Sequence, residues 1–152
     1  MVSTGSSKLQ NKRSQWKNQF FEIESASALH NKIRKIFISD PFFKKLKCFQ
    51  EVPVSALVDN YHYNSHKVDW FIDELGTIVE IHGKQHYEVA NFGNIPYMEA
   101  LVQHNNIRYR DNMKKTALID AGYEYREINY KIIKKMDAKT IKQIILNNRE
   151  TL

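Results

Sequence analysis

The chain has one cysteine, Cys48, among its 152 residues. No internal disulfide framework and no Cys-rich zinc site can be built from it. A reducing cytoplasm is the natural compartment for such a composition. Cys48 stands between Lys47 and Phe49 in an apolar stretch, and free cysteine there is ordinarily a small buried residue rather than a nucleophile. Long hydrophobic runs are also missing. No stretch approaches the ~20 apolar residues of a membrane span, so no membrane partner is expected. The start, MVSTGSSKLQNKRSQWK, lacks the apolar core of a signal peptide. There is no internal repeat and no His-Glu-x-x-His zinc motif.

What is present is ordinary globular material, 42% hydrophobic and 26% charged. The length fits one domain, which buries roughly 70% of the surface of its unfolded chain. Lys plus Arg number 23 against 17 Asp plus Glu, a formal charge of +6. That balance favours a polyanionic partner through steering and counterion release. The basic character is strongest in residues 1–19, where Lys8, Lys12, Arg13 and Lys17 meet no acid. This segment is expected to be a solvated or nucleic-acid-contacting arm, ahead of a domain over 20–152.

Periodicity supplies the elements. Leu29, Ile33, Ile36 and Phe37 recur at helical spacing, with Ser25 or Ser27 as cap and Pro41 as stop. Cys48–Val54 reads as a strand kept near an edge or end by Pro53. HKVDWFID and TIVEIH are strand-like runs flanking Asp73-Glu74-Leu75-Gly76, a turn composition, so 66–82 reads as a β-hairpin. Residues 98–121 form a helix ended by Gly122, 123–130 a strand, and 138–148 a helix capped by Asp137. The order α-β-β-β-α-β-α predicts an α/β or α+β domain, a mixed sheet flanked by helices.

Strand parity then locates the chemistry. Val68, Trp70 and Ile72 should share one face with Val79 and Ile81, because a one-residue slip would mix apolar and polar sets. Asp69, Glu80 and His82 should then project together from the other face. Two facing carboxylates are costly unless a cation neutralises them, and Mg²⁺ is ordinarily held by one or two carboxylates plus waters. Asp69, Glu80 and the carbonyl of Ile81 form such a candidate set, with His82 or His86 to accept a proton from water. The ordinary alternative is a solvent-facing acid pair on a one-sided sheet; Phe71 and Ile78 on the same face argue against full exposure.

The run VDWFIDELGTIVEIHGKQHYE, followed by RDNMKKTALIDAGYEYREINY, resembles the PD-(D/E)XK nuclease superfamily. It is most similar to the branch of very-short-patch-repair mismatch endonucleases and related phage and homing nucleases. The resemblance implies a restriction-endonuclease-like fold and Mg²⁺- or Mn²⁺-dependent hydrolysis of DNA. It makes Asp69 the main metal ligand and Glu80 the second acid. His82 stands where many members carry Lys, His86 falls near a second His of the branch, and Asp111 matches a supporting helix Asp. Some members draw a further group from the first helix, for which Glu22, Glu24 and His30 are candidates.

Lys84, Arg108, Arg110, Lys114 and Lys115 are candidate phosphate contacts, although Asp111 with both lysines also fits a solvated ion-pair face at i+3 and i+4. Trp16, Tyr61, Tyr63 and Tyr97 are candidates for stacking on bases, with packing as their ordinary role. The expected activity is a cytoplasmic, metal-dependent endodeoxyribonuclease, for which a homodimer is a compatible assembly. The runner-up is a DNA-binding module of nuclease fold without catalysis. High Lys, Asn and Ile usage fits an AT-rich genome such as a phage's.

Overall fold

A computed structural model of the chain describes residues 16–23, 27–82, 96–131 and 137–146. His86, Lys84, Glu24 and the first fifteen residues of the basic arm lie outside the described residues.

The first helix, α1 (Ala28–Ser39), starts where the Ser27 side chain accepts from the backbone N–H of His30 at 3.3 Å, a cap worth about 1 kcal/mol. It stops at Asp40, which is extended ahead of Pro41. Its Ile33 and Phe37 are fully buried. Strand β2 (Cys48–Pro53) follows a single 3₁₀ turn and leads into a one-turn helix, α2 (Val54–Leu57). Strands β3 (Lys67–Ile72) and β4 (Thr77–His82) form the expected hairpin. Its turn closes through Gly76 at φ 55, backbone that a side chain would strain. Helix α3 (Tyr97–Asp120) ends ahead of Gly122 at φ 97. Strand β5 (Glu124–Asn129) and helix α4 (Ala138–Leu146) are the last described elements, with the Asp137 carboxylate accepting from the Thr140 N–H at 3.0 Å.

With a two-residue strand β1 (Lys17–Asn18), the sheet order is β1-β2-β3-β4-β5. The first three pairings are antiparallel, and β4 pairs with β5 in parallel across the α3 crossover. This is a mixed, five-stranded α+β architecture, as the element order predicts. Strand β1 (Lys17–Asn18) was not expected. It pairs with β2, Gln19 is buried, and the Trp16 ring meets Phe49 and Phe71 edge-on. The domain therefore begins before residue 20, and the end of the basic segment belongs to the sheet.

Two cores sandwich the sheet. On one face Trp70, Ile72, Val79, Ile81 and Ile128 pack with Ile33 and Phe37 of α1 and Ile141 and Ile145 of α4. On the other, Phe71 and Ile78 pack with Phe49, Val52 and Leu118 of α3. Val68 corrects the parity reading: it joins the second core, not the face of Trp70 and Ile72. Val52, its partner across the ladder, does the same while Cys48 stays in the first. Both strands change face at one level. There Glu51 of β2 adopts φ 50, a left-handed conformation that breaks regular alternation. Asp69 sits at the same level of β3, between Val68 and Trp70.

Candidate functional site

Asp69 lies where β3 and β4 cease to pair. Their ladder runs from Ile72↔Thr77 to Trp70↔Val79. One step further, the Asp69 carboxylate takes over as acceptor: its Oδ2 receives the backbone N–H of Ile81 at 2.7 Å. The other oxygen, Oδ1, stands 3.5 Å from His30 Nε2 on α1. The Ile81 backbone thus meets Asp69 through its N–H. The Ile81 carbonyl as a third oxygen ligand remains the expectation drawn from the strand reading.

Glu80 comes from β4 and is 4% exposed. Its carboxyl lies close enough to Asp69 for the Asp69 charge to act on it. Burial, and then the Asp69 charge, push the Glu80 carboxyl well above the usual range despite the neighbouring Lys114. Lys114, 7% exposed on α3, sends its ammonium to Glu80 Oε1 at 3.1 Å and to the Lys67 carbonyl at 3.0 Å. Asp111, one turn earlier, stands 3.9 Å from the same nitrogen. A fully exposed ion pair would contribute little. This one is buried, so removing one partner would strand the other without water.

His82 continues the same face of β4. It is buried, with Nδ1 4.0 Å from Glu127 Oε2 on the adjacent parallel strand. Glu127 in turn meets Lys115 Nζ at 3.3 Å, and that ammonium lies over the Tyr125 ring. The Tyr125 hydroxyl is buried among the charges of Glu80, Glu127, Asp111 and Asp69, and its pKa is driven upward mainly by burial and then by Glu80.

The fold thus brings Asp69, Glu80, Asp111 and Lys114 together, adds His30 on the Asp69 side, and sets His82 and Lys115 beside Glu127. Lys114 was expected on a phosphate-facing surface; it is inside the cluster instead. Arg108 and Arg110 are exposed on α3. Of the described candidates, Glu22 and His30, His30 is the one the fold carries to Asp69. Sequence reasoning missed Glu127 and Tyr125. The alternation in YEYREINY puts both on one face, but only the parallel register, Glu80↔Glu127, sets that face beside Glu80.

Among the described residues, no three His, Cys, Asp or Glu side chains converge as a metal-binding group. The donor set therefore does not suit a tetrahedral zinc centre. Two adjoining carboxylates, one of them buried, do suit a hard divalent cation that completes its shell with water. Among the described residues, no helix is long and apolar enough to cross a membrane. Cys48 is buried, and desolvation, then the Glu74 charge, raises its thiol to about 12, so it takes no part in chemistry at neutral pH. Comparison of the chain with protein-family models, with curated proteins and with solved structures finds no match.

Proposed function

We propose that this protein is a metal-dependent endodeoxyribonuclease whose centre is the Asp69–Glu80 pair. One observation carries the reading: the buried Glu80 carboxyl of β4 lies within the charge of the Asp69 carboxylate of β3, at the point where the two strands cease to pair. Ionising both groups in a buried setting needs a cation, and Asp69 and Glu80 would hold Mg²⁺ or Mn²⁺. Held there, such an ion would supply an acidified water and charge stabilisation at a phosphate oxygen.

The chain's own groups have separable tasks. The Ile81 N–H and His30 orient the Asp69 carboxylate. Lys114 brings a cation to Glu80 from α3, which compensates for histidine at position 82, where many members of the resembled superfamily carry lysine. His82, next to Glu127, is a described group suited to accept a proton from water, since a neutral imidazole offers a ring-nitrogen lone pair. His86 is its counterpart from the sequence. Arg108 and Arg110, exposed on the α3 helix, suit contacts to the DNA backbone, and the net charge of +6 supports a polyanionic substrate.

The Lys114 ammonium at Glu80 also favours a second reading, a DNA-binding module of the same architecture without catalysis. A protein cation already neutralises one acid there, which makes a metal ion dispensable. A cleavage panel separates the two. Plasmid, mismatched, flapped, four-way-junction and single-stranded DNA are incubated with Mg²⁺ or Mn²⁺, then with a chelator. Metal-dependent scission of any of them is the expected result. Binding without scission selects the second reading, and absence of binding at low salt removes both.

A further inference from the structure

Three aromatic rings, those of Tyr61, Tyr63 and His66, pack on one another in the polar segment that leads from α2 into β3, DNYHYNSHK. The Tyr63 and His66 rings are stacked, 4.6 Å between centroids with their planes 10° apart. Tyr61 packs edge-on to Tyr63 at 6.1 Å. Its hydroxyl shares a 2.7 Å hydrogen bond with His66 Nδ1, which fixes the lower ring of the stack. The segment is pinned to the sheet where the His66 carbonyl accepts from the Val54 N–H at 2.9 Å. Tyr63, in contrast, is 46% exposed, and its neighbours His62, Asn64 and Ser65 are exposed as well.

The position of the stack matters more than its composition. His66 directly precedes Lys67, whose carbonyl receives the Lys114 ammonium that serves Glu80. The charges of Lys114 and Arg110 both reach His66. Burial first, then these two cations, lower the His66 pKa, so the ring stays neutral at neutral pH and Tyr63 rests on an uncharged face. Arg110, whose charge reaches His66, is exposed, and so is Lys67, the next residue along the chain. A flat aromatic surface with a cation within reach is the chemistry that holds a nucleobase together with its phosphate.

We infer that the Tyr63–His66 stack is a nucleobase platform, on which an unpaired or splayed base next to the scissile phosphate is held. The inference rests on the nuclease reading and deepens it: the preferred substrate has an unstacked base beside the cut. A fully paired duplex offers no such base and is held by backbone contacts alone.

The test uses the full chain carrying Asp69→Asn, which prevents cleavage, with Mg²⁺ present. Two probes are compared by fluorescence anisotropy: a single-stranded DNA oligonucleotide and its perfect duplex. A 2-aminopurine in the single strand reports stacking by quenching. Adding Tyr63→Ala is expected to weaken single-strand binding about tenfold, as loss of one stacked base would. It should leave duplex binding within about twofold and abolish the quenching. Tyr63→Phe should restore all three. Tyr63 is a surface side chain, so both variants should melt with the parent.

Unchanged single-strand affinity and quenching in Tyr63→Ala overturns the platform. So does an equal loss on both probes, which would mark a backbone contact only. Failure of the Tyr63-intact protein to bind either probe at low salt is a different result, since it overturns the nuclease reading and the platform with it.

Discussion

The Asp69 carboxylate replaces a backbone acceptor: it takes the N–H of Ile81 at 2.7 Å, beyond the last ladder pair between β3 and β4. The contact fixes one oxygen of Asp69 and opens the two strands where Glu80 leaves β4. A charged acceptor makes a stronger bond than a carbonyl would. The site is therefore built into the sheet rather than placed on a loop, which keeps its acid pair rigid.

Lys114 gives the first prediction. Lys114→Met leaves buried Glu80 without its ammonium, and the expected cost at alkaline pH is about 3–5 kcal/mol. The cost should shrink as pH falls, because a protonated Glu80 no longer needs a cation. Adding Glu80→Gln should recover most of the loss. Urea unfolding of both single variants and the double variant, at acid and alkaline pH, measures this directly. Additive effects would contradict the pairing.

Glu80 gives a second, with the sign set by linkage. Its folded pKa is raised, so the native state binds the proton more tightly than the unfolded chain. Stability then falls as pH climbs from the ordinary glutamate range to the raised value. In Glu80→Gln that part of the pH dependence should disappear. Divalent cation should act oppositely in the parent protein, raising the melting temperature most at the alkaline end of the window, where both acids are ionised. A melting temperature indifferent to Mg²⁺ and Mn²⁺ at every pH would sink the metal site.

Much of this fold was legible in the sequence, and the exceptions share a cause. The Ile33–Phe37 stripe, the Ser27 cap, the 73–76 turn and Gly122 all act within a few residues, and each element formed where its local signal stood. The acid pair was legible too, because Asp69 and Glu80 belong to one hairpin. Three features beyond strand β1 were not. Val68 changed face because Glu51, distant in sequence, is left-handed opposite the hairpin. Lys114 reads as a surface cation in RDNMKK until α3 lies over β4. Glu127 joins the site only through parallel pairing, whose register no turn specifies. Contacts made across long stretches of chain leave no periodic trace.

The left-handed Glu51 itself is testable. A non-glycine residue in that conformation costs roughly 1–2 kcal/mol. Glu51→Gly should therefore stabilise the protein by up to about 1 kcal/mol after the entropic cost of glycine. Glu51→Val, β-branched at the same φ, should destabilise it. Thermal unfolding of the two variants gives the order, and the reverse order would remove the kink as the reason both strands change face.

Cys48 offers a simple check on the core. With its thiol raised to about 12, only about one molecule in ten thousand carries the thiolate at pH 8. The native protein should resist a thiol reagent that reacts at once after denaturation. Immediate labelling of the native protein would place the first core wrongly.

Cleavage of supercoiled plasmid by Asp69→Asn is the decisive measurement. Asparagine keeps an acceptor for the Ile81 N–H, so circular dichroism and melting should match the parent at acid pH. With Mg²⁺, the cleavage rate should drop by on the order of a thousandfold or more, the several kcal/mol an ion contributes at a phosphate. A folded Asp69→Asn protein that cuts DNA at the parental rate would show that the chemistry lies elsewhere.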